Sequence, residues 1–260
     1  MIYTEKIDLY NTLVSEVRNC PYLDKCNQIK GKNTVQLEKC ELCDEVNLWA
    51  YWQGGRNNLD ADILLVGQDW GNYKDKNGNL LLEFIEGRKT NSQFPYLPTT
   101  PKSITDINLI RLFDECLGIT IGPQYVSNPK LFFTNFVMCY RKQDERISSG
   151  FKKSWANNCK EYFIKLVNII EPKLVICLGR SVFDSVLKAA GKPTLKGSYN
   201  VIIERGYQIL KIGNVECAVF PVAHCGTFGT LNRNEKKNDS LEIQKKDWRR
   251  IKEYLDNNNI

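Results

Sequence analysis

The sequence predicts an α/β protein, a three-layer α/β/α arrangement around a central, mainly parallel four-stranded sheet. Three observations predict it. Unbroken apolar runs at Ile63–Val66, Leu131–Val137 and Leu174–Leu178 are too short for typical helices and read as strands buried on both faces. Stretches of helical periodicity alternate with these runs, which makes consecutive strands parallel. The run Ile63-Leu64-Leu65-Val66 stops at Gly67 and is followed at once by Gln68-Asp69-Trp70-Gly71. Polar chemistry at the carboxyl end of a strand is where open α/β sheets bind their ligands.

The elements follow in order. Ile7, Tyr10, Val14 and Val17 have the spacing of an amphipathic N-terminal helix. A cysteine-bearing segment runs from Cys20 to Cys43, so residues 1–45 form an N-terminal helix and cysteine segment of one domain spanning 1–260. After the first strand, Asn72–Thr100 is rich in Asn, Gly, Lys and Pro and reads as a long loop with one short helix near Leu80–Ile85. Asp106–Leu117 reads as a helix, Leu131–Val137 as the second strand, and Ser154 to about Ile170 as a helix stopped by Pro172. Leu174–Leu178 is the third strand, ending at Gly179, and Ser181–Ala190 the next helix, closed by Gly191. Tyr207–Ile212 and Glu216–Val222 form a hairpin around Gly213-Asn214, residue types that tolerate positive φ. The last helix starts near Asp239, where Asp239 and Glu242 have capping-box spacing. Lys245, Lys246, Arg249, Arg250 and Lys252 make the 227–260 region basic. A solvated face is the default reading of that cluster, and a phosphate-contacting face the sharper one.

Composition sets bounds. The 260 residues are 42% hydrophobic, enough for a packed core, and the net charge of +6 fits a phosphate-backbone partner without demanding one. No apolar run approaches the roughly 18 residues that span a bilayer, and Met1–Lys6 has no apolar signal core. A cytoplasmic monomer with no membrane association is the expectation. Ten cysteines without a secretory signal argue for a metal or cluster rather than disulfides. His224 is the single histidine, which excludes any site built from two or more imidazoles.

Three polar residues stand at predicted strand ends: Asp69 with Gln68, Asn135 within the second strand, and His224 after the last. An acid, an amide and an imidazole converging on one sheet edge can recognise a polar ring and stabilise charge on it. Asp69 also suits a helix N-cap, and Asn135 a bond to neighbouring backbone. Cys40-Glu41-Leu42-Cys43 is a C-x2-C pair with spacing that lets two thiolates reach one metal centre. A zinc site from Cys20, Cys26, Cys40 and Cys43 is one solution. Cys116, Cys177 and Cys217 sit in apolar stretches and read as core thiols.

In order along the chain, Cys40–Cys43, ILLVGQDWG, FFTNFVMC, Cys159, LVICLG and His224-Cys225-Gly226 resemble the motif series of the uracil-DNA glycosylase superfamily, and most its iron–sulfur branch. The resemblance spans about residues 37–226. It implies a [4Fe-4S] cluster on Cys40, Cys43, Cys139 and Cys159 with a structural role. It implies a base pocket from Gly67, Gln68 and Asn135, with Phe94 or Tyr96 stacking on the base, and catalysis by Asp69 and His224. The partner implied is DNA containing uracil or another deaminated base.

The departures are specific. The iron–sulfur branch has GEAPG at the first motif, whereas Gly67-Gln68-Asp69 is similar to the GQDPY of the cluster-free branch, whose aspartate assists water attack. Trp70 replaces the proline of both branches. Gly71 stands where the cluster-free branch has the tyrosine that excludes thymine. The Pro-Ser after the family's final histidine is missing. Two rivals follow: a glycosylase-like fold that binds nucleic acid or a nucleobase without cleavage, and a nucleotide-binding α/β protein of another class. The missing glycine-rich phosphate fingerprint after Val66 counts against the latter.

Overall fold

The computed structural model describes residues 2–28, 36–38, 44–46, 54–70, 104–122, 128–141, 151–234 and 241–260. Its strands are β1 (Leu37–Glu38), β2 (Ile63–Trp70), β3 (Leu131–Arg141), β4 (Leu174–Leu178), β5 (Gln208–Ile212) and β6 (Val215–Val222). They form one six-stranded sheet in the order β1-β3-β2-β4-β6-β5. The four central strands, β3, β2, β4 and β6, are mutually parallel, and β1 and β5 each add an antiparallel edge. The parallel four-stranded core is thus as expected, with two further strands at its margins. β1 is too short for its period-2 pattern to register in sequence.

Two apolar layers sandwich the sheet. Leu64, Val66, Phe132 and Val175 face Tyr10 of α1 (Tyr3–Arg18), Phe163 of α4 (Lys153–Ile170) and Phe183 of α5 (Arg180–Ala189). On the other face Ile63, Leu65, Phe133 and Ile176 meet Leu109 of α3 (Ile104–Leu112) and Trp248 of α8 (Glu242–Asn257). Strict alternation along β2 and β3 assigns successive residues to opposite layers. Each large side chain buried there contributes roughly 1.5–3 kcal/mol. Among the described residues no helix is long and apolar enough to cross a membrane.

Several boundaries differ from expectation for identifiable reasons. β2 continues to Trp70 because it pairs with β3 beyond the apolar run, and β3 reaches Arg141 because β1 pairs with its last residues. Gln68 and Asp69 therefore lie on the strand and not in a turn after it. α3 begins at Ile104, and its last turn, Phe113–Leu117, widens to a π-helix before Gly118 reverses it at φ 67°. Glu171, at φ 58°, closes α4 just before Pro172. Three short helices were missed: α2 (Leu23–Asn27), α6 (Tyr199–Glu204) and α7 (Thr227–Arg233). They are too brief to establish a helical period; only α6 carries a local signal, the Ser198 hydroxyl accepting from the Val201 N–H at 3.4 Å. The expected helix at Leu80–Ile85 and the capping residue Asp239 lie outside the described residues.

The basic cluster on α8 is largely paired in place. Lys245 bridges Glu115 and Glu242, each at 2.8 Å, Arg250 donates to the Ile203 carbonyl at 3.3 Å, and Lys252 pairs with Asp256. This favours the solvated-face reading over a phosphate-contacting stripe.

Candidate active site

The site is built at the carboxyl edge of the four parallel strands. Gly67 of β2 sits in register with Asn135 of β3. A Cβ added at Gly67 would lie 2.1 Å from Asn135 Oδ1 and 3.4 Å from Phe133 Cζ. Only glycine lets the Asn135 amide lie across the neighbouring strand. Asn135 is 5% exposed, and its side-chain amide has no hydrogen-bond partner among the described residues, so it does not spend its donor and acceptor on neighbouring backbone. Its amide atoms still reach solvent, so a ligand's polar edge would take over from water there.

β4, the next strand across, ends at Gly179 with φ 97°. A Cβ there would meet His224 Cβ at 3.8 Å. His224 follows β6 on the far side of Gly179. The order β3-β2-β4-β6 therefore puts Asn135 and His224 on the outer strands, with side-chain-free glycines on the two between. At about 4.8 Å per strand, three spacings make a trench roughly 14 Å across between the two strands that carry them.

His224 is partly buried, and its Nδ1 accepts the Gly226 N–H at 3.0 Å. Nδ1 therefore presents a lone pair, and the ring proton belongs on Nε2. Desolvation lowers the imidazole pKa below its usual value, and the Asp69 carboxylate partly opposes this. The ring is thus a neutral Nε2–H donor at neutral pH, with Asp69 near enough to act on it.

Asp69 is not a helix cap. Both of its carboxylate oxygens pair with Arg141, Nε to Oδ1 and Nη2 to Oδ2, each at 2.8 Å. A slip in register places Asp69 opposite Val137 but Trp70 opposite Tyr140, so β3 bulges by two residues, Met138 and Cys139. That bulge carries Arg141 back alongside Asp69. The guanidinium lies 6.0 Å from the Trp155 ring centroid. Trp70 is buried against Phe133, with ring centroids 5.5 Å apart and nearly perpendicular, closing the apolar side of the pocket floor.

The described cysteines fall into three buried clusters. Cys139 and Cys159 share one buried cluster with Cys26, Leu37, Val137 and Trp155. Burial pushes the free Cys159 thiol up to about 12. Cys20 belongs to the main core with Tyr10 and Val14, yet it lies close enough to Cys26 and Cys159 to raise both thiols electrostatically. Among the described residues no three His, Cys, Asp or Glu side chains are arranged to hold a metal. Cys40, Cys43, Phe94 and Tyr96 lie outside the described residues. Gln68 is described, partly buried, on β2 between Gly67 and Asp69.

Sequence reasoning missed four residues that the structure brings here. Arg141 clamps Asp69. Phe228, on the first turn of α7 just past His224, is 82% exposed. Thr105 Oγ1 would lie 3.0 Å from a Cβ added at Gly226. Gln244, from α8, donates to the carbonyls of Ala223 and His224. Only Phe228 left a signal, an aromatic among small polar residues close behind the histidine.

A family model described as the uracil DNA glycosylase superfamily matches residues 55–251. The type-4 uracil-DNA glycosylase of Saccharolobus solfataricus is 25% identical over 236 residues, covering 85% of this chain and 83% of that protein. That of Sulfurisphaera tokodaii is 24% identical over 234 residues, covering 89% and 85%.

Proposed function

This chain belongs to the uracil-DNA glycosylase superfamily, and from that premise we propose that it hydrolyses the N-glycosidic bond of uracil, or of another deaminated base, in DNA. The observation that carries the reading is that Asn135 and His224 flank Gly67 and Gly179 at one sheet edge, with His224 Nδ1 tied to the Gly226 N–H so that the ring's donor is left on Nε2. A base cannot enter that trench while stacked in DNA, so it must be flipped out. Asn135 would pair with its polar edge through one donor and one acceptor. As the bond breaks, negative charge collects on the base and positive charge on the sugar. His224 Nε2–H would donate to the base oxygen that gains charge, and losing one such preorganised donor typically costs on the order of 10²–10³ in rate. Asp69 would orient the attacking water and offset the charge on the sugar.

Phe228 fits a mechanical role in the same step. Proteins that distort DNA insert apolar wedges between base steps, and an exposed phenylalanine beside the pocket mouth can fill the gap that a flipped base leaves.

For the cluster, the described part fits. Cys139 and Cys159 lie in one dry pocket, reached from β3 and α4. β1 pairs Glu38 with Tyr140, the residue beside Cys139. Cys40, Cys43, Cys139 and Cys159 would hold a [4Fe-4S] cluster whose contribution is to pin the N-terminal segment to the sheet.

The ion pair on Asp69 favours one second reading, binding of a nucleobase without hydrolysis, since both carboxylate oxygens are occupied. One assay separates the two. Oligonucleotides bearing uracil, hypoxanthine, xanthine or mismatched thymine are incubated with the protein, and abasic sites are then cleaved with alkali. Strand scission at a deaminated base supports hydrolysis; salt-sensitive binding with no scission supports the second reading. A brown protein with iron and sulfide near four per chain would support the cluster, and stoichiometric zinc would refute it.

A further inference from the structure

We propose that Gln244, on the C-terminal helix α8, is the positioning residue that holds His224 in its donor tautomer. The inference rests on the reading of His224 as the donor to the base. Beyond Val222 the chain leaves the sheet, and the carbonyls of Ala223, His224 and Cys225 lose their ladder partners. Side chains from three helices, α3, α7 and α8, replace them. The Gln244 amide donates from Nε2 to the Ala223 carbonyl at 3.3 Å and to the His224 carbonyl at 3.2 Å. Asn108 of α3 donates from Nδ2 to the Cys225 carbonyl at 2.8 Å. Gln244 is 1% exposed, so these bonds have no water to replace them.

The amide is itself held one way round. The Ala223 and His224 carbonyls can only accept, which turns the NH2 group toward them. The Thr230 hydroxyl supports that orientation from the other side, lying 3.0 Å from Gln244 Oε1 and 3.4 Å from the Cys225 carbonyl, with its single proton shared between the two acceptors. Gly229, one residue earlier on α7, packs so closely that an added Cβ would lie 2.2 Å from the His224 carbonyl oxygen. α8 cannot drift, because Asp247, three residues along its face, takes Arg233 of α7 through two bonds of 2.7 and 2.9 Å, and Trp248 is fully buried against Phe113. With those carbonyls tied, the remaining polar group of the turn, the Gly226 N–H, points at His224 Nδ1. Releasing the Ala223 and His224 carbonyls frees the turn to rotate, and the Gly226 bond that selects the Nε2–H tautomer goes with it.

The chain's single histidine makes the test direct. Isotope labelling of histidine gives one imidazole, whose two ring nitrogens are read by NMR in the full-length protein. The wild type should show one protonated and one bare nitrogen. In Gln244→Met, which keeps the side chain's length without its amide, the two signals should converge toward the average of both tautomers. Single-turnover excision should fall about 10²-fold, as for a catalytic group misplaced by an ångström, with DNA affinity unchanged. Thr230→Val should shift the signals in the same direction, and Thr230→Ser, which keeps the hydroxyl, should restore them. If Gln244→Met does not fold, the Thr230 pair decides. Ring signals identical to wild type in the folded variants would overturn the proposal. If the wild type excises no base, the functional reading fails, yet the ring nitrogens still decide whether Gln244 holds the imidazole.

Discussion

Asp69 and Arg141 end neighbouring parallel strands and share a two-pronged ion pair, 2.8 Å at each contact, with the acid side chain 7% and the arginine 17% exposed. The pair exists because β3 bulges at Met138-Cys139. Removing one partner from such a pair strands a largely buried charge, which typically costs about 3–5 kcal/mol. Arg141→Ala should therefore lower stability by up to that amount, measured by chemical denaturation, and Asp69→Asn less, because the amide oxygen still accepts one of the two guanidinium bonds. Equal loss in both variants would contradict this asymmetry.

The same acid has a catalytic assignment. Asp69→Asn and His224→Ala should each reduce excision on the order of 10²–10³ while binding to DNA persists. Single-turnover assays with a titration by anisotropy separate the two quantities. Wild-type cleavage in both variants would remove these residues from the mechanism.

Gly67→Ala is a test of shape alone, since Gly67 does not have the positive φ that demands glycine. The added methyl would meet Asn135 Oδ1 at 2.1 Å and push the amide out of the trench. The expected outcome is a folded protein whose substrate affinity and excision both fall. A variant with unchanged KM would show that Asn135 does not read the base.

Phe228→Ala should impair duplex substrates far more than single strands, because only a duplex leaves a gap for the ring to fill. The measurement is the ratio of excision rates on the two substrates. A ratio unaltered by the substitution would exclude a wedge.

Two groups make stability pH-dependent in opposite senses. His224 has its pKa lowered by burial, so the unfolded chain takes up a proton that the folded one refuses. Its contribution is intact above about 6.5 and lost as pH falls below that value. Asp106, partly buried on the first turn of α3, has its carboxyl raised to about 6 by desolvation. Its favourable contribution is complete below about 4 and lost as pH rises through about 6. Asp106→Asn should thus stabilise the protein by about 3 kcal/mol at pH 8, where the wild-type carboxylate is charged, and hardly at all at pH 4. Thermal melts at both values check this, and an equal shift at each would refute it.

The sequence by itself determined the layers and most of the site's cast. Unbroken apolar runs reported strands buried on both faces, and the helical period reported α1, α4 and α5. The lone histidine, the embedded Asn135, Gly67 after the apolar run of β2 and Gly179 just past β4 were all legible, because each breaks a local pattern. Only the tertiary structure decided what these residues touch. Strand order placed Gly67 and Gly179 between Asn135 and His224, and order is a matter of non-local pairing that no short window encodes. The bulge that brings Arg141 to Asp69 depends on register between strands about seventy residues apart. Gln244 looked like one polar residue on a basic helix. Its role arises from burial beneath a turn twenty residues upstream, where backbone carbonyls without a ladder must find a donor.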